Sequence, residues 1–327
     1  MGLLQRRTVI KYLASAVLTA TGAASAAEKY EGEFPVTVDH KFGSTIVPTR
    51  PQRLLTIGSH DEDAALILGE APIGLVTYNV FHEGLSPWAQ KRLSGSAPAA
   101  LSPLLDFEQI AALRPDLILA VCSGINALDW DRLSRIAPTV AYSARPWASD
   151  WREQLTVAGM VLGRRDEADL QISLVDDLVS EVANRHPELR GRSICLAIQN
   201  VGSRDLTVML ENNPTFKVFA GFGLRPCSFV KQLGVNAPQQ TTVAVSSERI
   251  DGIDADLLLM WSRPARGECS RGASLFDLVP AVRNGRLLSI ENKAHAEALA
   301  APTVLSIPYA YPEIASKLAT LIGGRSD

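Results

Sequence analysis

The hydrophobic positions of this chain follow two patterns. Short unbroken apolar runs, such as Leu54–Gly58 and Leu117–Val121, are typical of strands that are buried on both faces of a parallel sheet. Between these runs, apolar residues recur three and four positions apart, as they do on one face of an amphipathic helix. Strands that alternate with helices predict an α/β fold with parallel sheets.

One phrase occurs twice in the chain. Residues Glu108–Leu119 read EQIAALRPDLIL, and residues Glu248–Leu259 read ERIDGIDADLLL. In each copy two apolar residues lie three apart, so they share one face of a short helix, and an Asp-Leu pair opens the apolar run. The repeat predicts two lobes of similar build. The alternative is a generic helix-to-strand unit of the kind found in many α/β proteins.

The stretch between the two copies has a different pattern. From Ser149 to about Arg185 the apolar residues stay on one helical face, the composition is rich in helix formers, and Pro187 follows. We therefore predict two Rossmann-like lobes with central parallel sheets, joined by one long α-helix. The predicted segments are 1–26 (signal peptide), 27–148 (N-terminal lobe), 149–188 (connecting helix) and 189–327 (C-terminal lobe).

The first residues predict export. Arg6-Arg7 precede an apolar stretch that ends near Thr21, and Ala24-Ser25-Ala26 has the small residues of a cleavage site. The segment around the two arginines resembles a twin-arginine signal; an ordinary secretory signal is the alternative. We expect a periplasmic protein that is cleaved near Ala26. No cysteine lies near this site, so we expect no lipid anchor.

The charge and the cysteine content of the chain narrow the possible classes of function further. Removing Arg6, Arg7 and Lys11 leaves 29 of 32 basic residues against 35 acidic ones, a net charge of −6, which argues against a nucleic-acid partner. The four cysteines form no close metal-type pairs. A disulfide between Cys227 and Cys269 is conceivable in an exported protein, but the sequence cannot establish it.

The sequence contains no recognisable catalytic motif. It has no G-x-S-x-G elbow, no H-E-x-x-H and no Walker loop, and Gly221-Phe222-Gly223 lacks the third glycine of a dinucleotide loop. The sequence motifs therefore give no support for an enzyme.

The chain resembles periplasmic substrate-binding proteins of the helix-hinged type, which serve ABC importers of iron–siderophores, haem and cobalamin. The segments that carry the resemblance are Pro51–Leu54, Leu68–Gly69, Pro72–Gly74, Glu108–Leu119, Leu133–Pro138 and Glu248–Leu259. The resemblance implies a solute-binding protein rather than an enzyme, with a ligand cleft between two lobes and an inner-membrane permease as partner. An exported enzyme and a ligand-sensing adaptor are the alternatives. It also implies that Glu108 and Glu248 dock onto permease arginines.

The expected cargo is a ferric siderophore, which the protein would bind as a monomer without a cofactor of its own. Haem, cobalamin and other metal chelates are the alternatives. Because a siderophore brings its own hard oxygen ligands for iron, the protein need supply none. It must instead hold a bulky, often anionic complex, for which arginine and aromatic side chains are suited.

In parallel α/β sheets, ligands bind beyond the carboxyl ends of the strands. The residues expected to bind the ligand therefore follow predicted strands: His60, Tyr78, Trp130, Arg145, Trp147, Arg204, Trp261, Arg263 and His295. The favoured set pairs Arg145 and Trp147 on one lobe with Trp261 and Arg263 on the other.

Histidine is weighed separately, because it is the commonest transition-metal ligand. His60, His82 and His295 all follow predicted strands, so direct ligation of metal or haem is a second interpretation. His60 precedes Asp61-Glu62-Asp63 and reads equally as a helix start.

Overall fold

The computed structural model describes residues 33–77, 81, 84–200, 205–263 and 278–323, with Asn200 and Arg263 described in their backbone only. The predicted signal peptide lies outside these residues. An antiparallel hairpin of β1 (Val36–His40) and β2 (Gly43–Val47) precedes the first sheet.

The N-terminal lobe is built around a five-stranded parallel sheet in the order β5-β4-β3-β6-β7. Its strands read as short apolar runs because helices cover both faces. The elements in chain order are β3 (Leu54–Thr56), α1 (Asp61–Ile67), β4 (Gly74–Val76), α2 (Pro87–Gln90), β5 (Ala99–Leu101), α3 (Phe107–Ala112), β6 (Leu117–Ala120), α4 (Ala127–Ser134) and β7 (Thr139–Ala141).

The C-terminal lobe has a second sheet in the order β11-β9-β8-β12-β13, with the short β10 also on β8. Its elements are β8 (Ser193–Asn200), β9 (Leu206–Met209), α7 (Pro214–Gly221), β10 (Arg225–Pro226), α8 (Ser228–Asn236), β11 (Thr242–Val245), a 3₁₀ helix (Ser247–Gly252), β12 (Leu257–Arg263), α9 (Pro280–Arg283), β13 (Leu287–Ile290), α10 (Lys293–Ala300) and α11 (Ser306–Gly323).

This second sheet is mixed rather than wholly parallel. β8, β10, β12 and β13 are parallel, whereas β9 runs antiparallel to β8 and β11 antiparallel to β9. Too few residues separate Asn200 from Leu206 for a crossover, so β9 can only return as a hairpin strand. The α/β fold class with two lobes is confirmed, and the antiparallel edge is a departure from the predicted parallel sheet.

The connector is also different from the prediction. Two helices, α5 (Trp151–Val161) and α6 (Arg165–Arg185), replace the single long helix. The chain turns at Gly163, whose φ of 68° lies in the left-handed region. The helices meet where a Cβ added to Gly159 would lie 2.5 Å from the Cβ of Ala168. Apolar periodicity continues across this turn, so the pattern alone did not reveal the break.

One hydrophobic cluster extends through both lobes. It contains Leu119 of β6, Leu155 of α5, Phe219 of α7 and Tyr311 of α11. The connector and α11 therefore pack in a core that the two sheets share. None of the helices in the described part of the chain has the length and apolar character needed to cross a membrane.

Candidate functional site

The loop between β7 and α5 reaches the opposite lobe. The guanidinium of Arg145 donates a hydrogen bond from Nη1 to the backbone carbonyl of Gln239. Nearby, Lys217 Nζ lies 3.5 Å from a carboxylate oxygen of Asp150, the residue that caps α5. This loop follows the carboxyl end of a parallel strand, which is where the sequence predicted the ligand to bind.

Trp147 lies in the same loop in an unusual conformation. Its φ of 58° is left-handed, its side chain is 49% exposed, and its backbone N–H donates to the carbonyl of Ser123 at 3.1 Å. The indole covers Gly124, where an added Cβ would lie 2.5 Å from Trp147 Nε1. A strained backbone that presents an exposed aromatic ring is a common feature of ligand sites.

A second group of contacts joins the lobes at His60, which precedes α1. Its Nε2 lies 3.4 Å from Glu297 Oε1 of α10, and its Nδ1 lies 3.4 Å from Glu62 Oε1. Burial by itself lowers the pKa of His60, but the hydrogen bond to Glu297 and the neighbouring carboxylates of Glu62 and Asp63 hold that pKa well above its usual range.

Asp63 is the partner of two further groups at this junction. Its Oδ2 accepts the indole N–H of Trp88 at 2.7 Å and the hydroxyl of Thr303 at 2.5 Å. Burial raises the pKa of the Asp63 carboxyl to about 7. Because Thr303 follows α10, Asp63 ties α1 of the N-terminal lobe to the segment that begins α11.

Asp61, the first residue of α1, connects this helix to the end of β6. Its carboxylate accepts the backbone N–H of Val121 at 2.8 Å and that of Cys122 at 3.1 Å, just past the end of β6. Burial raises the pKa of Asp61 to about 7, although these backbone bonds act in the opposite direction.

The structure brings His60 and His295 to one aromatic cluster. Trp88 and Tyr309 pack with ring centroids 5.2 Å apart, His60 lies 6.0 Å from Trp88, and His295 lies 5.9 Å from Tyr309. Burial lowers the pKa of His295, partly offset by Glu313. Both histidines are therefore in the contact between α1, α2 and the C-terminal helices.

Two predicted ligand residues, Trp261 and Trp130, pack against the protein interior to different degrees. Trp261 has no exposed surface, because β12 continues through it to Arg263 and its ring points into the core. Trp130 packs against His40 and Phe42, with ring centroids 5.3 and 6.0 Å away, and its indole N–H donates to the carbonyl of Thr139 at 3.0 Å. Trp261 therefore stabilises the fold rather than facing a ligand, whereas Trp130 is only partly buried and stays a predicted ligand residue.

Some predicted residues lie outside the described part of the chain. These are Tyr78, His82 and Arg204, together with the side chain of Arg263. Conversely, the sequence patterns did not indicate Asp63, Trp88, Glu297 and Tyr309. The acidic run that begins α1 looks like an exposed helix start, and the contact of His60 with Glu297 spans 237 positions.

The repeated glutamates both lie on the surface. Glu108 is exposed in the first turn of α3, and Glu248 is exposed in the first turn of the 3₁₀ helix. Ile110 and Ile250, which follow them by two positions, are buried, as the predicted helix face requires. A surface groove of about 630 Å³, bordered by α8 and the 3₁₀ helix, includes Glu248.

Residues 87–294 match a family model described as periplasmic binding protein. The solved structure of PiaA from Streptococcus pneumoniae TIGR4 in complex with ferrichrome is 28% identical, with a TM-score of 0.77, and the match covers 88% of this chain and 99% of that one.

The names of two curated relatives state what those proteins bind. The ferric-anguibactin-binding protein FatB of Vibrio anguillarum is 26% identical over 71% of this chain and 70% of its own. The probable siderophore-binding lipoprotein YfiY of Bacillus subtilis is 26% identical over 70% of this chain and 69% of its own. The chain spans about two thirds of the length of the curated relatives that it matches.

Proposed function

Because this chain belongs to the periplasmic binding protein family, we propose that it is the solute-binding component of an ABC importer and that it captures a ferric siderophore between its lobes. Two relatives whose names refer to siderophores and a neighbouring structure that contains ferrichrome support this cargo. The protein then performs no chemistry, and capture and delivery are its whole activity.

The observation that carries the proposal is the arrangement of the β7–α5 loop. Arg145 reaches the other lobe, and two positions on, Trp147 exposes half of its ring above Gly124. Arginine pairs with anionic oxygens and an indole covers flat apolar surface, which are the two demands of an iron chelate. The iron keeps the oxygen ligands of its chelator, so no protein ligand to iron is required.

The repeated glutamates fit a role in docking to a permease. Glu108 and Glu248 are exposed at corresponding positions of the two copies of the repeat. Exposed ion pairs contribute about 0.2–1 kcal/mol each, so their main effect is to orient the partner. We propose that they contact basic residues of the permease, one from each lobe.

We further propose that residues 1–26 direct export to the periplasm and that the mature chain acts as a monomer without a lipid anchor. The names of two curated relatives describe them as lipoproteins, so anchoring needs its own test. Cell fractionation and sequencing of the mature N-terminus give that test. A lipid-modified N-terminus would overturn this part of the proposal.

The cargo is tested by quenching of intrinsic tryptophan fluorescence in the purified mature protein. The panel contains ferric hydroxamate, catecholate and carboxylate siderophores, their iron-free forms, haem and cobalamin. We expect saturable quenching by one ferric siderophore class and a much weaker response to its iron-free form. Binding of haem or cobalamin alone, or of no compound in the panel, would contradict the proposed cargo.

A further inference from the structure

The junction between α1 and α10 contains a concentration of buried charge. Glu62 is 4% exposed, Asp63 is 0% exposed, and Glu297 is also buried. Potential ligand atoms of His60, Glu62 and Asp63, one from each residue, lie within 4.8 Å of one another. Three carboxylates therefore surround a single imidazole in the interior.

Each of the three clustered residues keeps one buried polar atom without a hydrogen-bond partner. These atoms are His60 Nδ1, Glu62 Oε2 and Asp63 Oδ1. Leaving a buried polar atom unpaired costs about 1–3 kcal/mol, and more for a charged group. Three such atoms in one cluster point to a ligand that would satisfy them together.

The orientation of His60 indicates the charge of that ligand. Glu297 lies 3.4 Å from Nε2, so the Nε2 proton is donated to that carboxylate and Nδ1 is the nitrogen left to face Glu62. Nδ1 faces the Glu62 carboxylate at 3.4 Å, and the positive charge that this contact needs is supplied either by a proton on Nδ1 or by a cation bound between the two groups. A carboxylate that orients the second nitrogen of a histidine is the usual outer partner of a metal-binding imidazole.

We propose that His60 Nδ1 and the carboxylates of Glu62 and Asp63 bind one divalent transition-metal ion, of which Zn²⁺ is the representative, with Glu297 orienting the imidazole. One nitrogen and two carboxylate ligands suit Zn²⁺ better than Mg²⁺, which prefers oxygen ligands and retained water. Ligands about 2.1 Å from zinc lie roughly 3.4 Å apart. The 3.4 Å between His60 Nδ1 and Glu62 Oε1 already fits this spacing, and the remaining distances, none above 4.8 Å, would shorten on binding.

The ion has a structural role that is separate from the cargo. It neutralises the carboxylates of α1 and, through His60 and Glu297, strengthens the contact between α1 and α10. The site is therefore independent of the iron carried by a siderophore. Its presence would make the stability of the lobe junction depend on divalent metal.

The test uses the untagged mature protein after treatment with a chelator and without any siderophore. Equilibrium dialysis against buffered Zn²⁺ in excess Mg²⁺, followed by elemental analysis, measures the bound metal, and thermal unfolding measures stability. We expect one equivalent of Zn²⁺ and an increase in melting temperature. A protein that binds no zinc would overturn the proposal. A stability that responds to pH but not to zinc would also overturn it, because protons would then be what neutralises the buried carboxylates.

Variants locate the ion. Glu62→Gln should weaken zinc binding at least tenfold, and Glu297→Gln should weaken it less, as loss of an outer partner does. The control is Glu188→Gln. Glu188 follows His186 by two positions, as Glu62 follows His60, and its Oε1 lies 3.3 Å from His186 Nδ1, but this pair is exposed. Equal zinc binding by Glu62→Gln and wild type would refute the site. If Glu62→Gln does not fold, two other measurements test the site: the number of zinc ions bound by the wild-type protein and the zinc affinity of Glu297→Gln.

Discussion

Asp116 and Asp256 make equivalent contacts in the two lobes. Asp116 accepts the backbone N–H groups of Gln52 at 2.8 Å and Arg53 at 2.9 Å, directly before β3. Asp256 accepts the backbone N–H and the hydroxyl of Ser193, both at 2.9 Å, at the start of β8. Each aspartate precedes a strand and ties its beginning to the beginning of the neighbouring strand.

This contact explains the repeated phrase. Leu54 pairs with Leu117 in the first sheet, and Ile194 pairs with Leu257 in the second, one position after each aspartate contact. A slip of one residue would turn the buried side chains of these strands to the opposite face. The Asp-Leu pair therefore sets strand register in both lobes.

The first prediction concerns Asp256 and stability. Hydrogen bonds from Ser193 hold the pKa of Asp256 below its usual value, so its stabilisation is present above about pH 4 and is lost as the pH falls below that value. Asp256→Ala should lower the free energy of unfolding by about 1–3 kcal/mol at pH 7. Urea unfolding at pH 7 and pH 3.5 measures both effects.

Its control is Asp177→Ala, on the exposed side of α6. That variant should keep the wild-type dependence of stability on pH, whereas Asp256→Ala should show a flatter one. An equal loss of stability at both pH values in Asp256→Ala would mean that the ionised carboxylate is not the stabilising group.

The second prediction concerns the glycine beneath Trp147. Gly124→Ala places a Cβ 2.5 Å from Trp147 Nε1, so the indole must move. We expect the dissociation constant for the ferric siderophore to rise about tenfold or more, with a shift in tryptophan emission, as measured by fluorescence titration. Gly234→Ala is the control, since its Cβ would meet no atom within 4 Å. Wild-type affinity in Gly124→Ala would remove Trp147 from the ligand site.

The third prediction concerns Arg145. Arg145→Ala removes a cation and its hydrogen bond to the Gln239 carbonyl in the other lobe. A lost bond to an ionised group costs about 1.5–3 kcal/mol, so affinity for an anionic ferric siderophore should fall by about 10- to 100-fold. Isothermal titration calorimetry measures this change. Arg135→Ala, which removes an exposed arginine that pairs with Asp131 on α4, should bind normally.

The fourth prediction separates capture from delivery. Charge reversal at both Glu108 and Glu248, written Glu108→Lys and Glu248→Lys, should abolish uptake of radiolabelled ferric siderophore by cells. Binding in solution should persist, because both side chains are exposed on the outer surface. Glu211→Lys, at another exposed position, is the control for added positive charge. Normal uptake by the double variant would exclude these glutamates as docking residues.

Local patterns accounted for much of the fold. The short apolar runs became the buried strands β3, β6, β8 and β12, and the repeat became a helical turn and strand in each lobe. These predictions held because the burial of a strand or a helix face depends on side chains close in sequence. The break at Gly163 was missed because a single left-handed residue does not interrupt apolar periodicity.

The candidate site depended more strongly on distant contacts. Arg145 and Trp147 were identified because they follow a strand end, a position that the sequence specifies. Trp261 was placed there wrongly, since β12 continues to Arg263 and the Trp261 side chain packs in the core on the same face of the strand as Leu257 and Leu259.

By itself the sequence determined the duplicated α/β lobes, the exposed glutamates and the loop that carries Arg145 and Trp147. Only the tertiary structure decided that the acidic run that begins α1 is buried, that His60 meets Glu297, and that Asp63 meets Thr303. The physical reason is that burial and charge at this junction come from segments more than 230 positions apart, and no local pattern records which of them pack together.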